Sequence, residues 1–351
     1  MLLLATDPNF LQTIWFILIA VLWIGYLILE GFDYGVAMLL PILAKNEKEK
    51  RVMVNTIGPV WDGNQVWLLT AGGATFAAFP GWYATLFSGL YIPLFLILMG
   101  LIIRGVAFEY RAKNPETQWR NAFDWMATIG SFVVALVFGV GFANFVIGLP
   151  INAKHIYVGG FWGLFTPFAL LGGIVLVVLF AFHGAIYLSL KTKGDIRVRA
   201  RALANPLGLA AIGGGAIFLL WFQLAYPAGG IIGWILLVLA AAGLASAWFF
   251  IGKGREGIAF ISSSAAIAVV AVMIFVRMFP NLGFDNSLAQ GHPLNVVTAA
   301  STDSTLTLML IAAVVFVPIV LGYTTWGYTR FRKRIGVENM PNEAPAAAHA
   351  G

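Results

Sequence analysis

The chain has no cysteine among its 351 residues, which excludes disulfides, thiolate metal sites, iron–sulfur clusters and a cysteine nucleophile. Histidine is nearly as scarce: His155, His183, His292 and His349 are the whole supply, and they cap the metal or haem chemistry the chain could run unaided. Charge is sparse as well. Only 10% of residues are Asp, Glu, Lys or Arg, against about 25% in an ordinary soluble domain. The excess of 21 basic over 15 acidic residues does not describe a nucleic-acid binder, because the basic residues follow loop placement rather than gathering on one face. Phosphate-loop, metalloprotease and nucleophile-elbow patterns are missing too, so soluble-type catalysis has no support.

What fills the chain instead is apolar: 60% hydrophobic residues with 39 glycines and 14% aromatics, and a mean hydropathy of +0.88. Its runs are far longer than the ~9–11 residues of an outer-membrane strand. The expected fold class is therefore all-α, a polytopic transmembrane helical bundle in a lipid bilayer. At about 20 residues per crossing, nine spans are expected, near 10–43, 54–79, 82–109, 121–149, 162–189, 203–226, 230–251, 257–279 and 304–329. The first ten residues carry Asp7 and no basic residue, unlike a cleavable signal peptide, so the first span should stay.

Short cytoplasmic loops collect Lys and Arg. Lys45–Arg51, Arg111–Arg120, Lys191–Arg201, Gly252–Glu256 and the tail from Arg330 hold 18 of the 21 basic residues, while the opposite loops hold only Lys154. This places the N-terminus outside and the C-terminus in the cytoplasm, and an odd span count requires the same parity. The tail from Glu338 to Gly351, rich in Ala and Pro, has nothing to bury and reads as disordered.

Ionised side chains at mid-membrane cost about 2.5–3.5 kcal/mol even on lenient scales. Span one carries Glu30 and Asp33 on one helical face. Span two carries Trp61, Asp62, Asn64 and Gln65, and span three carries Arg104 with Glu109 near its end. With a rise of ~1.5 Å per residue, Asp33 and Asp62 lie roughly 12–15 Å from the inner ends of their spans and Arg104 roughly 8–10 Å. Three acids near one guanidinium are open to two readings: a cluster that locks three helices, or a proton-accessible pocket facing the cytoplasm, with Asp62, Asp33 and Glu30 as proton-path candidates. Glu30 is the expected partner of Arg104. His183, inside span five, reads as a hydrogen-bonded interhelical residue, not a cofactor ligand. The glycines of spans one and two read as packing positions, and Trp82, Trp162 and Trp234 as interfacial belt residues. No metal site or catalytic residue is expected in this chain.

Several segments, in order, carry a more specific signal: EGFDYGVAMLLP (30–41), NTIGPVWDGNQVWLLTAGGATFAAFP (55–80), SGLYIPL (88–94), RGVAFEYR (104–111), LFTPFALLGG (164–173) and GAIYLSLKTKGDIRVRAR (184–201). The chain resembles subunit II of the cytochrome bd quinol oxidases. That resemblance implies two four-helix bundles, residues 1–150 and 151–280, an extracytoplasmic loop at 281–303, a ninth peripheral helix at 304–331 and a cytoplasmic tail at 332–351. It implies a partner subunit I carrying haems b and d, quinol and dioxygen as substrates of the complex, protons taken from the cytoplasm, a cytoplasmic-membrane location, and no haem ligated here. By the same resemblance, Trp61 and Asp62 match the family's Trp-Asp pair, with Asp62 a proton-path acid next to subunit I, and Glu30 and Asp33 match its acidic pair. Some members hold a structural quinone in a groove of this subunit, and small accessory subunits are compatible with the pattern. A secondary transporter using intramembrane acids, or a pure assembly scaffold, stays open as an alternative. Against the transporter stand the odd span count, the lack of an obvious pair of broken helices and the confinement of acids to three spans.

Overall fold

In an apolar solvent the backbone has only its own carbonyls as hydrogen-bond partners, so long apolar runs become helices. The structure, a computed structural model that describes residues 7–340, is built almost wholly of them. In chain order they are α1 (Phe10–Leu43), α2 (Glu47–Ile57), α3 (Trp61–Ala78), α4 (Pro80–Gly89), α5 (Tyr91–Tyr110), α6 (Thr117–Ile147), α7 (Pro167–Lys191), α8 (Gly194–Ala225), α9 (Ile231–Gly252), α10 (Glu256–Met278) and α11 (Asp303–Arg330). Two short strands, β1 (Leu149–Pro150) and β2 (Phe284–Asp285), pair in parallel and tie together the loops at the end opposite the basic clusters.

Among the described residues, eight helices are long and apolar enough to cross a membrane: α1, α5 with the turn after it, and α6 to α11. Two expected spans depart from this. The second divides into α2 and α3 at Gly58–Val60, where Pro59 brings no N–H and crowds the preceding turn. The expected third span is likewise interrupted, at Leu90 between α4 and α5. There Pro93 leaves the Gly89 carbonyl without its helical donor. The expectation of no broken helices was therefore wrong. The Lys191–Arg201 loop is also mostly helical: α8 begins at Gly194, with Asp195 in its first turn, a favourable position against the helix dipole.

α1 lies at the centre, packed against α3, α6, α7 and α10. Its contact with α7 is close enough to require glycine on both sides, since a Cβ on Gly35 would lie 2.8 Å from the Gly184 Cα. α11 stands apart, with Leu306 its one buried side chain. It is pinned near its start by Trp15 Nε1, which donates to the Leu306 carbonyl at 2.9 Å. The segment after it is ordered as far as Met340, with Ile335 bridging Thr192 and a 3-10 turn at Val337–Asn339. The rest of the expected tail, and residues 1–6, lie outside the described residues.

Candidate functional site

α1 and α2 run as an antiparallel hairpin, so the Gly58–Val60 break falls beside the acidic stretch of α1. α3 then starts next to Asp33. Asn64, one turn into α3, donates from Nδ2 to Asp33 Oδ2 at 2.7 Å and to the Leu29 carbonyl at 3.3 Å. Its own Oδ1 accepts from the Tyr328 hydroxyl of α11 at 2.7 Å. Asp33 is fully buried, and its Oδ1 has no partner.

One turn earlier on α1, Glu30 faces Arg104 of α5, with Oε2 2.9 Å from Nη2 and both side chains at 0% exposure. The distance is that of an ion pair, but the approach misses hydrogen-bond alignment, so the donors of Arg104 and the acceptors of Glu30 are left unspent. Aromatic faces supply the remaining company of the guanidinium. Its carbon lies 4.7 Å from the Tyr34 ring centre, 5.1 Å from Phe108 and 5.9 Å from Trp61, all within cation–π range. Tyr34 in turn shares a hydrogen bond with the Tyr26 hydroxyl.

The structure thus brings together Glu30, Asp33, Asn64, Arg104 and Trp61. Asp62 sits differently from the expected buried trio of acids: it is exposed on the outward face of α3, yet near enough for its charge to act on Glu30. Glu109 is also exposed and stays outside the cluster. Gln65 points elsewhere, into an apolar groove of about 690 Å³ along α3, α4 and α5, where its Oε1 is buried without a partner. Trp82 lines the same groove with an equally unpartnered Nε1. It stacks on Phe16 in the core, which corrects its reading as a belt residue, while Trp162 and Trp234 are exposed.

The glycines divide by helix. A Cβ on Gly25 or Gly31 of α1 would strike Trp67 or Phe180, whereas one on Gly63, Gly72 or Gly73 of α3 meets nothing within 4 Å. Packing inside the chain explains the first set and not the second.

His183 has both ring nitrogens engaged, Nδ1 with Ser263 Oγ at 2.7 Å and Nε2 with the Ile28 carbonyl at 3.2 Å. A carbonyl only accepts, which assigns the proton to Nε2 and leaves Nδ1 to accept from the serine hydroxyl. Neither nitrogen is left to bind a haem iron. The histidine therefore joins α7 to α10 and α1.

At the basic end, three acids near the ends of the expected spans are paired. Glu47 meets Arg111 at 2.8 Å, Asp124 meets Lys50 at 3.0 Å, and Glu256 meets Arg197 at 2.6 Å. Burial works against the charge of Glu49, but Arg199 at 2.6 Å and the Lys45 backbone N–H outweigh it and hold this carboxyl below its ordinary value.

Tyr26, Tyr34, Phe108 and Tyr328 were missed in the sequence. Tyr34 adjoins Asp33, and that adjacency was a usable signal; nothing local marks Tyr328.

A family model described as cytochrome bd terminal oxidase subunit II matches residues 11–331. The cytochrome bd ubiquinol oxidase subunit 2 of Bacillus subtilis (strain 168) is 40% identical over 337 residues, covering 93% of this chain and 97% of its own. The cytochrome bd-I ubiquinol oxidase subunit 2 of Escherichia coli (strain K12) is 37% identical over 380 residues, covering 95% and 97%. In fold, the chain is similar to a chain in the structure of the bd oxidase from Geobacillus thermodenitrificans, with a TM-score of 0.76 over 92% of this chain and 99% of that one at 17% identity. These likenesses give no support to a transporter or a bare scaffold. The chain belongs to the cytochrome bd terminal oxidase subunit II family, and is thus the multi-pass membrane subunit that works beside a subunit I in an oxidoreductase complex whose haems sit in that partner.

Proposed function

We propose that this chain serves quinol oxidation and dioxygen reduction by its complex as a non-catalytic subunit of the cytoplasmic membrane, supporting the haem-bearing partner and contributing a proton route from the cytoplasm. The observation that carries the reading is the count of buried charge. Glu30 and Asp33 are both fully buried, and Arg104 is paired with Glu30 alone. Asp33 can take up or release a proton without breaking that pair, and its free Oδ1 is the atom where a proton would reside. Asp62 stands at the opening of the cluster.

Topology supports the direction. With the end of α2 and α3 counted as one crossing, and α4 with α5 as another, the chain makes nine, and the basic end that borders the cluster is the cytoplasmic one. In this arrangement α1 to α6 form the first bundle, α7 to α10 the second, and α11 the peripheral helix.

The docking face for subunit I is the outward stripe of α3. Asp62, Val66, Leu69, Gly73 and Phe76 recur at helical spacing and are all exposed. A carboxylate facing lipid is costly, so this stripe needs protein cover, and a partner there would receive protons directly from Asp62. The groove of α3 to α5 fits a quinone as a structural lipid: a long apolar trough with one unpaired indole N–H, at Trp82, to donate to a ring carbonyl, and one buried amide oxygen, at Gln65, to accept from the hydroxyl of the reduced form. Gln65 and Trp82 are the residues that would hold it.

The test is Asp62→Asn in the complex. Because Asn keeps the shape of Asp62 and no ion pair with Arg104 is lost, assembly and haem content should match wild type, while quinol-driven oxygen consumption falls about 10-fold or more, since Asn cannot exchange a proton. Wild-type turnover across pH would refute the proton role. A reduced-minus-oxidised spectrum of the purified chain should show no haem, and that of the co-purified complex should show it; stoichiometric haem in the chain alone would refute the supporting role.

A further inference from the structure

α11 is pinned at its start by Trp15 and touches the rest of the chain so lightly beyond it that an inward side-chain hydrogen bond near its far end calls for an explanation. Its aromatic residues near the basic end divide clearly. Tyr323 is 70% exposed and Trp326 63% exposed, as expected of side chains at a membrane surface. Tyr328 is instead half-buried and reaches Asn64.

We propose that Tyr328 is a positioning residue for Asp33, fixing through Asn64 the amide N–H that Asp33 accepts. This rests on the reading of Asp33 as a proton-route group. The hydrogen-bond inventory of Asn64 carries the argument. Its amide nitrogen faces two acceptors, Asp33 Oδ2 and the Leu29 carbonyl, and its oxygen faces one hydroxyl, that of Tyr328. Turning the amide over would set its oxygen against a carboxylate and a carbonyl, both of which only accept when Asp33 is ionised. The observed orientation therefore suits a charged Asp33, and the tyrosine hydroxyl is the group on the opposite side that rewards it. Tyr187 of α7 and Glu30 and Arg104 also act electrostatically on this site, but it is the Tyr328 hydroxyl that hydrogen-bonds the Asn64 oxygen. Without Tyr328 the amide loses its fixed acceptor side, and Asp33 loses an aligned donor.

The chain of contacts also leads outward. Asp33 is fully buried, Asn64 is nearly so at 2% exposure, and Tyr328 is half-open. A helix that contributes little packing thus supplies the last oriented hydroxyl between the cluster and its surroundings.

Tyr328→Phe in the assembled complex tests this, because it removes the hydroxyl and keeps the ring. Expected are unchanged haem content and assembly, KM for quinol within about twofold of wild type, and kcat lowered about 3- to 10-fold, the range of one lost hydrogen bond. The effect should vanish in an Asn64→Leu background, and equally in Asp33→Asn, since Tyr328 acts only through that pair. Wild-type kcat in Tyr328→Phe, alongside a slowed Asp33→Asn, would overturn the inference and leave the proton-route reading standing. Wild-type kcat in both would overturn the reading itself. Lost haem or assembly in Tyr328→Phe, or a full additive effect in either background, would show that the residue acts structurally or by another path, and would also overturn the inference.

Discussion

Glu30→Gln strips Arg104 of its ion-pair partner without changing side-chain shape. Both groups are at 0% exposure and 2.9 Å apart, so solvent cannot take over from the lost carboxylate. An intact buried pair gains little, because desolvation offsets most of the attraction, but stranding one member costs about 3–5 kcal/mol. The rings of Tyr34, Phe108 and Trp61 remain around the guanidinium, and cation–π contacts are worth about 2 kcal/mol or more when desolvated. The expected loss therefore sits at the lower end, about 3 kcal/mol, a factor of roughly 100 in the folded-to-unfolded ratio. Replacing both partners, Glu30→Leu with Arg104→Met, removes the two charges together and should cost much less, within about 1.5 kcal/mol. The assay is the thermal midpoint of the purified complex, read with the yield of haem-loaded complex from membranes. A Glu30→Gln complex as stable as wild type, or a double variant as damaged as the two singles summed, would refute the account of Arg104 as a desolvated cation held by one carboxylate.

Three further outcomes are expected. An impermeant thiol reagent should label Ser287→Cys in intact cells and leave Ala347→Cys untouched, a clean experiment in a chain without native cysteine; the reverse pattern would invert the topology. Gly35→Ala should force α1 from α7, since its Cβ would meet the Gly184 backbone, costing about 1–3 kcal/mol; a thermal midpoint equal to wild type would remove that contact from the account. Glu49, held below its ordinary value by Arg199, contributes stability that is present above the ordinary glutamate value of about 4.3 and is lost as pH falls through its lower folded value. Wild type should therefore exceed Glu49→Gln in thermal midpoint at neutral pH, with the gap closing in acid; a gap independent of pH would refute this.

Helix existence was legible because membrane helices are written as length and hydropathy, and seven of the nine expected spans map onto single helices. The two exceptions share one cause. Pro59 and Pro93 lie inside runs whose hydropathy barely registers them, yet each removes a backbone donor, and the chain breaks there. The Lys191–Arg201 stretch misled for the opposite reason. Its charges read as loop, but Arg197 and Arg199 find Glu256 and Glu49, and paired arginines on a helix end need no loop.

The site was legible in composition and less so in placement. Glu30, Asp33 and Arg104 could be put at one depth by counting residues, but a one-dimensional rise does not say which way Asp62 points from its helix. The break decides that, and it also explains why a polar cluster is tolerable at this depth. Breaking a helix in a membrane frees carbonyls that must find donors. Here the Val60 N–H serves the Ile57 carbonyl at 2.9 Å, and the Tyr187 hydroxyl of α7 serves that of Thr56 at 3.0 Å. Two of the freed carbonyls are thus served by nearby donors, and the break sets the electropositive start of α3 beside Asp33. An unbroken helix would offer no free N–H groups at that level; the break instead points the positive end of a helix dipole at the acid and brings Asn64 within 2.7 Å of it.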